Sequence, residues 1–258
     1  MKITPLTGLL MSLLWVTTQA RADYDRQIEL GAESSTLSDG NSAWKGGFVR
    51  PTARITPTDV VSGEIHYAER FSENGIYAGA NLQHDYNSDW YQTFSLGLSS
   101  GGRFWPQTAI ASSLFHKWLD DKSLITGFGI TRNTYSFGAS DLAFTAEAIY
   151  YFPSFLVLEG GYRYNLSFPG TITAGRAFAA LTIGYGSRQQ LVLRYDAGRE
   201  AYKPVGDGQI EVAFNSQSYA AIARTDLGMA YGLSLGLEHY RNAFYFRNSA
   251  TLSIIKAF

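Results

Sequence analysis

The 258-residue chain has no cysteine. That excludes disulfides, thiolate metal sites and a lipid attached to a cysteine at a mature N-terminus. Beyond residue 22 no run of about 20 apolar residues occurs, so no transmembrane helix is expected. Neither charge sign dominates: 21 Lys and Arg face 22 Asp and Glu, which leaves no footprint for nucleic acid. Proline is scarce, with 7 residues, and no linker, charge run or low-complexity stretch divides the chain, so one domain is the simplest reading. Four histidines are present, without metal-ligand spacing and without a phosphate-binding loop, so no cofactor is expected.

What is abundant is aromatic residues and glycine: 17 Tyr, 16 Phe, 5 Trp and 26 Gly. That mixture suits a sheet with one apolar face. The first residues belong to a separate element. Met1-Lys2, an apolar stretch Leu9–Val16 and the small residues of Ala20-Arg21-Ala22 have the order of a secretory signal peptide, with cleavage expected after Ala22. Residues 23–258 then form the mature domain.

In that domain apolar and polar residues alternate with a period of two. Leu191, Leu193, Tyr195 and Ala197 interleave with Gln190, Val192, Arg194 and Asp196; Tyr231, Leu233, Leu235 and Leu237 interleave with Gly232, Ser234, Gly236 and Glu238. Such a pattern puts apolar side chains on one side of a pleat and polar or tiny ones on the other. Cutting at turn residues gives about 14 strands, or 12 if two short segments merge. The fold class is therefore all-β: a closed antiparallel transmembrane β-barrel in the outer membrane of a Gram-negative bacterium. Outer-membrane lipid and the barrel-assembly machinery are its expected partners. Phe258 resembles the terminal aromatic residue of a barrel assembly signal, although Lys256 departs from the pattern.

Connections such as Pro57-Thr58-Asp59, Asn87-Ser88-Asp89 and Thr225-Asp226-Leu227-Gly228 read as tight periplasmic turns. Arg132–Ser140 and Gly198–Gly208 read as longer external loops. Trp90, Trp118, Tyr150, Tyr151, Phe152, Tyr185, Tyr231 and Phe258 fall at the periplasmic strand ends; Trp44, Phe104, Trp105, Tyr162, Tyr164, Tyr240 and Phe244 fall at the others. Both sets read as interfacial girdles, because amphipathic rings prefer the membrane–water boundary.

The inward face gathers charge. Arg50, Arg54, Glu64, His66, Glu147, Glu159, Arg163, Arg194, Asp196 and Glu211 are the lumen-lining candidates. Buried charges need partners, so Arg50 or Arg54 is expected to meet Glu64, Glu147 to meet Arg163, and Arg194 to meet Glu211. Such a ladder would hold the barrel closed; alternatively, its arginines and the tyrosine faces would grip a hydrated substrate.

No catalytic residue is assigned. His239-Tyr240-Arg241-Asn242 resembles the His-x-Ser-Asn segment of a lipid A deacylase, but Arg241 occupies the nucleophile position. His66 shares a face with Glu64 and Ser62, yet Ser62 lies roughly 13 Å away along the strand. A triad would need a serine from another strand.

Ala148-Ile149-Tyr150-Tyr151-Phe152-Pro153, Glu159-Gly160-Gly161-Tyr162-Arg163-Tyr164 and Tyr195-Asp196-Ala197-Gly198-Arg199-Glu200 are similar to segments of the YaiO-type outer-membrane barrel family. The likeness spans roughly residues 85–258, and the earlier strands read as generic barrel. The resemblance implies a non-enzymatic barrel associated with surface-glycan systems, a channel or docking component of polysaccharide export. Some relatives carry periplasmic helical repeats before the barrel. None is seen here, so a periplasmic adaptor would be a separate protein. The other reading is a structural or receptor-like barrel with a closed lumen and partner-binding loops; a lipid-modifying enzyme ranks behind both.

Overall fold

The computed structural model describes residues 25–136, 138–206 and 209–258, without the side chains of 202–212. The expected signal peptide at 1–22 lies outside the described residues. Among these the chain forms 14 strands and no helix. The first seven are β1 (Arg26–Leu37), β2 (Trp44–Arg54), β3 (Asp59–Arg70), β4 (Glu73–Asp85), β5 (Trp90–Gly101), β6 (Thr108–Trp118) and β7 (Leu124–Thr134). The rest are β8 (Ser140–Tyr151), β9 (Leu156–Phe168), β10 (Ile172–Ile183), β11 (Gln189–Gly206), β12 (Gln209–Gly228), β13 (Tyr231–Asn242) and β14 (Phe246–Ala257). Each pairs antiparallel with its chain neighbours, and β1 pairs with β14 from Gln27↔Ala257 to Leu37↔Arg247, closing the ring. Closure satisfies every ladder edge, which a sheet surrounded by hydrocarbon requires.

Alternation decides the faces. Leu30, Ile65, Phe94, Leu96, Phe128, Leu193, Leu235 and Leu252 are exposed outward, where lipid replaces water, while Glu29, Glu64, Glu159, Asp196 and Ser253 are buried inside. Glycines on the inner wall make room for rings. Gly79 and Gly97 are register partners, and a Cβ at Gly97 would lie 1.9 Å from the Tyr77 hydroxyl. The Tyr77 ring therefore lies across that pair, filling a slot that any other residue would occupy.

The connections differ from expectation. They span two to six residues at both rims, so no long external loop stands among the described residues. In Arg132–Ser140 the strands take 132–134 and 140 and leave a five-residue connection at 135–139, and Gly198–Gly208 continues β11 as far as Gly206. Thr225–Gly228 is likewise strand: β12 runs to Gly228 through an irregularity after Asp226, whose carboxylate accepts the Gly228 N–H at 2.8 Å. The polar, glycine-containing composition that suggested loops and a turn here serves a hairpin and a bulge instead. The β11–β12 hairpin extends beyond β10 and β13 at the rim opposite the starts of β1 and the end of β14. That upper rim is the external one, because bacterial barrels carry their extensions outside and keep short turns in the periplasm.

Candidate functional site

The inner wall of β1–β3 holds a ladder of ions at alternate positions. Arg50 Nε donates to Glu64 at 3.1 Å and Nη1 stands 4.0 Å from Glu29, whose carboxylate also accepts from Ser253 Oγ at 2.5 Å. The Arg50 guanidinium lies over the Phe48 ring, 3.7 Å from its centroid. His66 Nδ1 is 3.1 Å from Glu64, and its Nε2 is 3.3 Å from Glu33 without hydrogen-bond alignment. Arg70 Nη2 donates to the same Glu33 oxygen at 3.1 Å. Gly46 makes this meeting possible: a Cβ there would come within 3.1 Å of both Glu33 Oε1 and His66 Nε2.

The opposite wall repeats the device. Arg194 grips Asp196 in its own strand through two bonds of 2.9 and 3.0 Å and reaches Glu159 at 3.4 Å. Glu159 belongs to β9, two strands away. Ala180 is register partner to both Arg194 and Glu159, and its small side chain lets the arginine cross. Higher on this wall Arg176 donates to Glu200 at 2.7 Å, and Tyr240 donates its hydroxyl to that carboxylate at 2.9 Å.

Two expected pairs are corrected. Glu147 and Arg163 do not meet, because β8–β9 register places Glu147 opposite Gly161 and Arg163 opposite Thr145. Arg163 Nε is buried without a hydrogen-bond partner. Arg194 is engaged by Glu159 and Asp196 instead of Glu211, whose side chain lies outside the described residues. Arg54 sits at the lower rim, exposed, donating to the Pro57 carbonyl at 3.3 Å.

The upper mouth departs from the expected lipid-facing girdle. Tyr162, Tyr164 and Phe244 do face outward, but Trp44, Phe104, Trp105 and Tyr240 turn inward and are buried, Trp44 at 5% and Trp105 at 6% exposure. Register explains Trp44 and Tyr240, which share the inner parity of Arg50 and Glu238. Phe104 and Trp105 lie in the β5–β6 connection, where alternation gives no face. They pack with Tyr77, Tyr135 and Ala139, while Trp44 packs with Phe71, Phe214, Tyr240 and Tyr245. Arg70 joins the two groups, its guanidinium carbon 5.0 Å from the Trp44 centroid, 5.4 Å from Phe104 and 5.7 Å from Trp105. Burial pushes the Tyr135 and Tyr245 phenols well above their ordinary range, with Asp141 adding to the effect at Tyr135. At the lower rim Tyr151 also turns inward, against Tyr91, Phe115, Ile125, Ile149 and Val157. Trp90, Trp118, Tyr185 and Tyr231 are exposed there.

Among the described residues no hydroxyl nucleophile stands at either His66 nitrogen; both face carboxylates. His239 is exposed outside, 2.7 Å from Asn248 Oδ1. No group of three or more potential metal ligands forms among the described residues.

This architecture recurs in solved outer-membrane barrels. The CymD monoaromatic hydrocarbon channel superposes with a TM-score of 0.65 at 9% identity, covering 91% of this chain and 89% of that one. The COG4313 outer membrane channel from Pseudomonas putida F1 gives 0.54 at 8%, covering 92% and 99%. The translocator domain of the autotransporter NalP from Neisseria meningitidis gives 0.52 at 13%, covering 93% and 90%. At these identities the likeness is one of fold. No curated protein matches the chain. Residues 25–203 match the family described as the YaiO membrane beta barrel domain. The match begins at β1, so it takes in strands that read as generic from their motifs, and it stops within β11. It spans well over half of the chain, and with the closed porin-like barrel and its lipid-facing exterior it establishes that this outer-membrane protein belongs to the YaiO family.

Proposed function

We propose that this barrel is a non-enzymatic channel or docking component of surface polysaccharide export, gated at its external mouth. The observation that carries the reading is the layer of indole and phenol rings, with Arg70 and Arg247 among them, set above an ion-paired polar lumen. Aromatic faces suit pyranose rings, and guanidinium forks suit sugar hydroxyls and carboxylates. Such a partner would approach from the periplasm, with a separate adaptor delivering it. The test is planar-bilayer conductance of the purified barrel. The wild type is expected to conduct weakly, and F104A/W105A, which removes two inward rings without touching the strands, to conduct well and to be blocked by soluble oligosaccharide.

The receptor-like alternative is favoured by the same burial of the mouth. It would be left standing by a barrel that conducts in neither form, in cells that still deliver normal glycan after deletion.

A further inference from the structure

The outer wall of β9–β13 carries a graded column of side chains. Along β11, outward residues at two-residue steps run Leu193, Tyr195, Ala197, Arg199; along β13 they run Leu235, Leu237, His239, Arg241. Gln189 and Tyr231 begin these strands at the lower rim, so each arginine stands ten residues above it. At about 3.3 Å per residue and a tilt of about 40°, both lie roughly 25 Å up, the height of the apolar band of such barrels.

We infer that Arg199 and Arg241, with Asn215 and Gln217 between them, form a binding site for the phosphorylated headgroup of an outer-leaflet glycolipid. Both arginines are exposed, and neither side chain makes a hydrogen bond or ion pair among the described residues. Register places Arg199 beside Asn215 and Gln217 beside Arg241, so one polar strand separates the two guanidiniums. Tyr195 and Tyr219 pack 4.9 Å apart immediately below, and leucines continue downward. The order from bottom to top is hydrocarbon, phenol, cation: the order of acyl chain, glycosyl boundary and phosphate in such a lipid.

Charge complementarity sets the class of ligand. On the outward strand positions of the upper half, Lys45, Arg132, Arg199 and Arg241 are cationic, while Glu69 is the carboxylate among the described residues and is already paired with Lys45 at 3.3 Å. The lower turns mix both signs, Asp89, Asp120 and Asp121 with Lys122 and Arg188. Among the described outward strand positions an ammonium headgroup meets no unpaired carboxylate, whereas a phosphate meets two free guanidiniums, which bind such oxygens bidentately.

The test uses full-length barrel in vesicles whose probe lipid is diphosphorylated lipid A or the same lipid after phosphatase treatment. Wild type is expected to unfold at higher temperature with the phosphorylated probe. It is also expected to retain on the order of ten times more of that probe after detergent extraction than R199A/R241A does. K256A, at the lower rim, is expected to retain as much as wild type. Equal thermal shifts from phosphorylated and dephosphorylated probe would overturn the inference, and that comparison needs no variant to fold. Loss of retention in K256A to the level of the double variant would overturn it too.

Discussion

Arg70 and Arg247 share one indole: their guanidinium carbons lie 5.0 and 4.8 Å from the Trp44 ring centroid. Two like charges on one ring persist because each also has its own carboxylate, Glu33 at 3.1 Å and Glu238 at 2.8 Å. W44A removes the buried ring and leaves the cations facing each other across a void. A loss of about 3–5 kcal/mol is expected, measured by urea unfolding in detergent, with W44F recovering part of it through its remaining aromatic face.

In the Arg50–Glu64 pair the carboxylate is buried and the guanidinium keeps 14% of its side chain exposed. Removing one partner leaves an uncompensated charge and costs about 3–5 kcal/mol. E64Q and R50Q are each expected to destabilise strongly. The double variant is expected to lose less than the sum of the two, with a coupling of about 1 kcal/mol or more in a double-mutant cycle. Additive effects would mean that Glu29 and His66 hold these groups by themselves.

Asp89, in the β4–β5 turn, accepts from Lys122 of the next turn at 2.6 Å and from Ser88 at 2.9 Å. The Lys122 contact first, and Ser88 after it, hold its carboxyl below the usual aspartate range. The folded value is depressed, so this contribution is present above the unfolded pKa near about 4 and fades as pH falls through the folded one. D89N should therefore flatten the acid limb of a stability–pH profile taken in detergent while leaving the profile above pH ~6 parallel to wild type.

Tyr77 lies across Gly79 and Gly97 and carries Trp105, whose ring centroid is 5.9 Å from its own. G97A offers a methyl where the phenol lies. The ring must lift, at a cost of about 1–3 kcal/mol, and Trp105 must move with it. Bilayer recordings of G97A should show a higher conductance than wild type, whereas G63A, on the outer face beside Pro51, should not.

The fold was legible because lipid outside and polar lumen inside impose alternation on every strand, and Leu193 against Arg194 reads the same way in sequence and structure. Strand number followed from turn residues. What alternation cannot supply is register and the direction of residues outside strands. Glu147 and Arg163 are adjacent in the pleat pattern yet two rungs out of step, and Arg194 reaches over Ala180 to Glu159, a contact that only the paired register reveals. Phe104 and Trp105 belong to a connection, so nothing local distinguishes a ring lying in lipid from one folded over the mouth. The clue that was available is Arg70, which shares the inner parity of Glu64 on β3: a cation buried on the inner face needs cover.

The rung that joins Glu159, Ala180 and Arg194 has a consequence for how such chains diverge. Its three positions lie in separate strands, yet the middle one sets whether the outer two touch. A larger residue at 180 would cut the pair and strand the Glu159 carboxylate, while Arg194 would keep Asp196, so the trio should change together or not at all. Descendants of this barrel would then carry correlated substitutions at positions far apart in the chain, with the silent alanine as the hinge of their shared history.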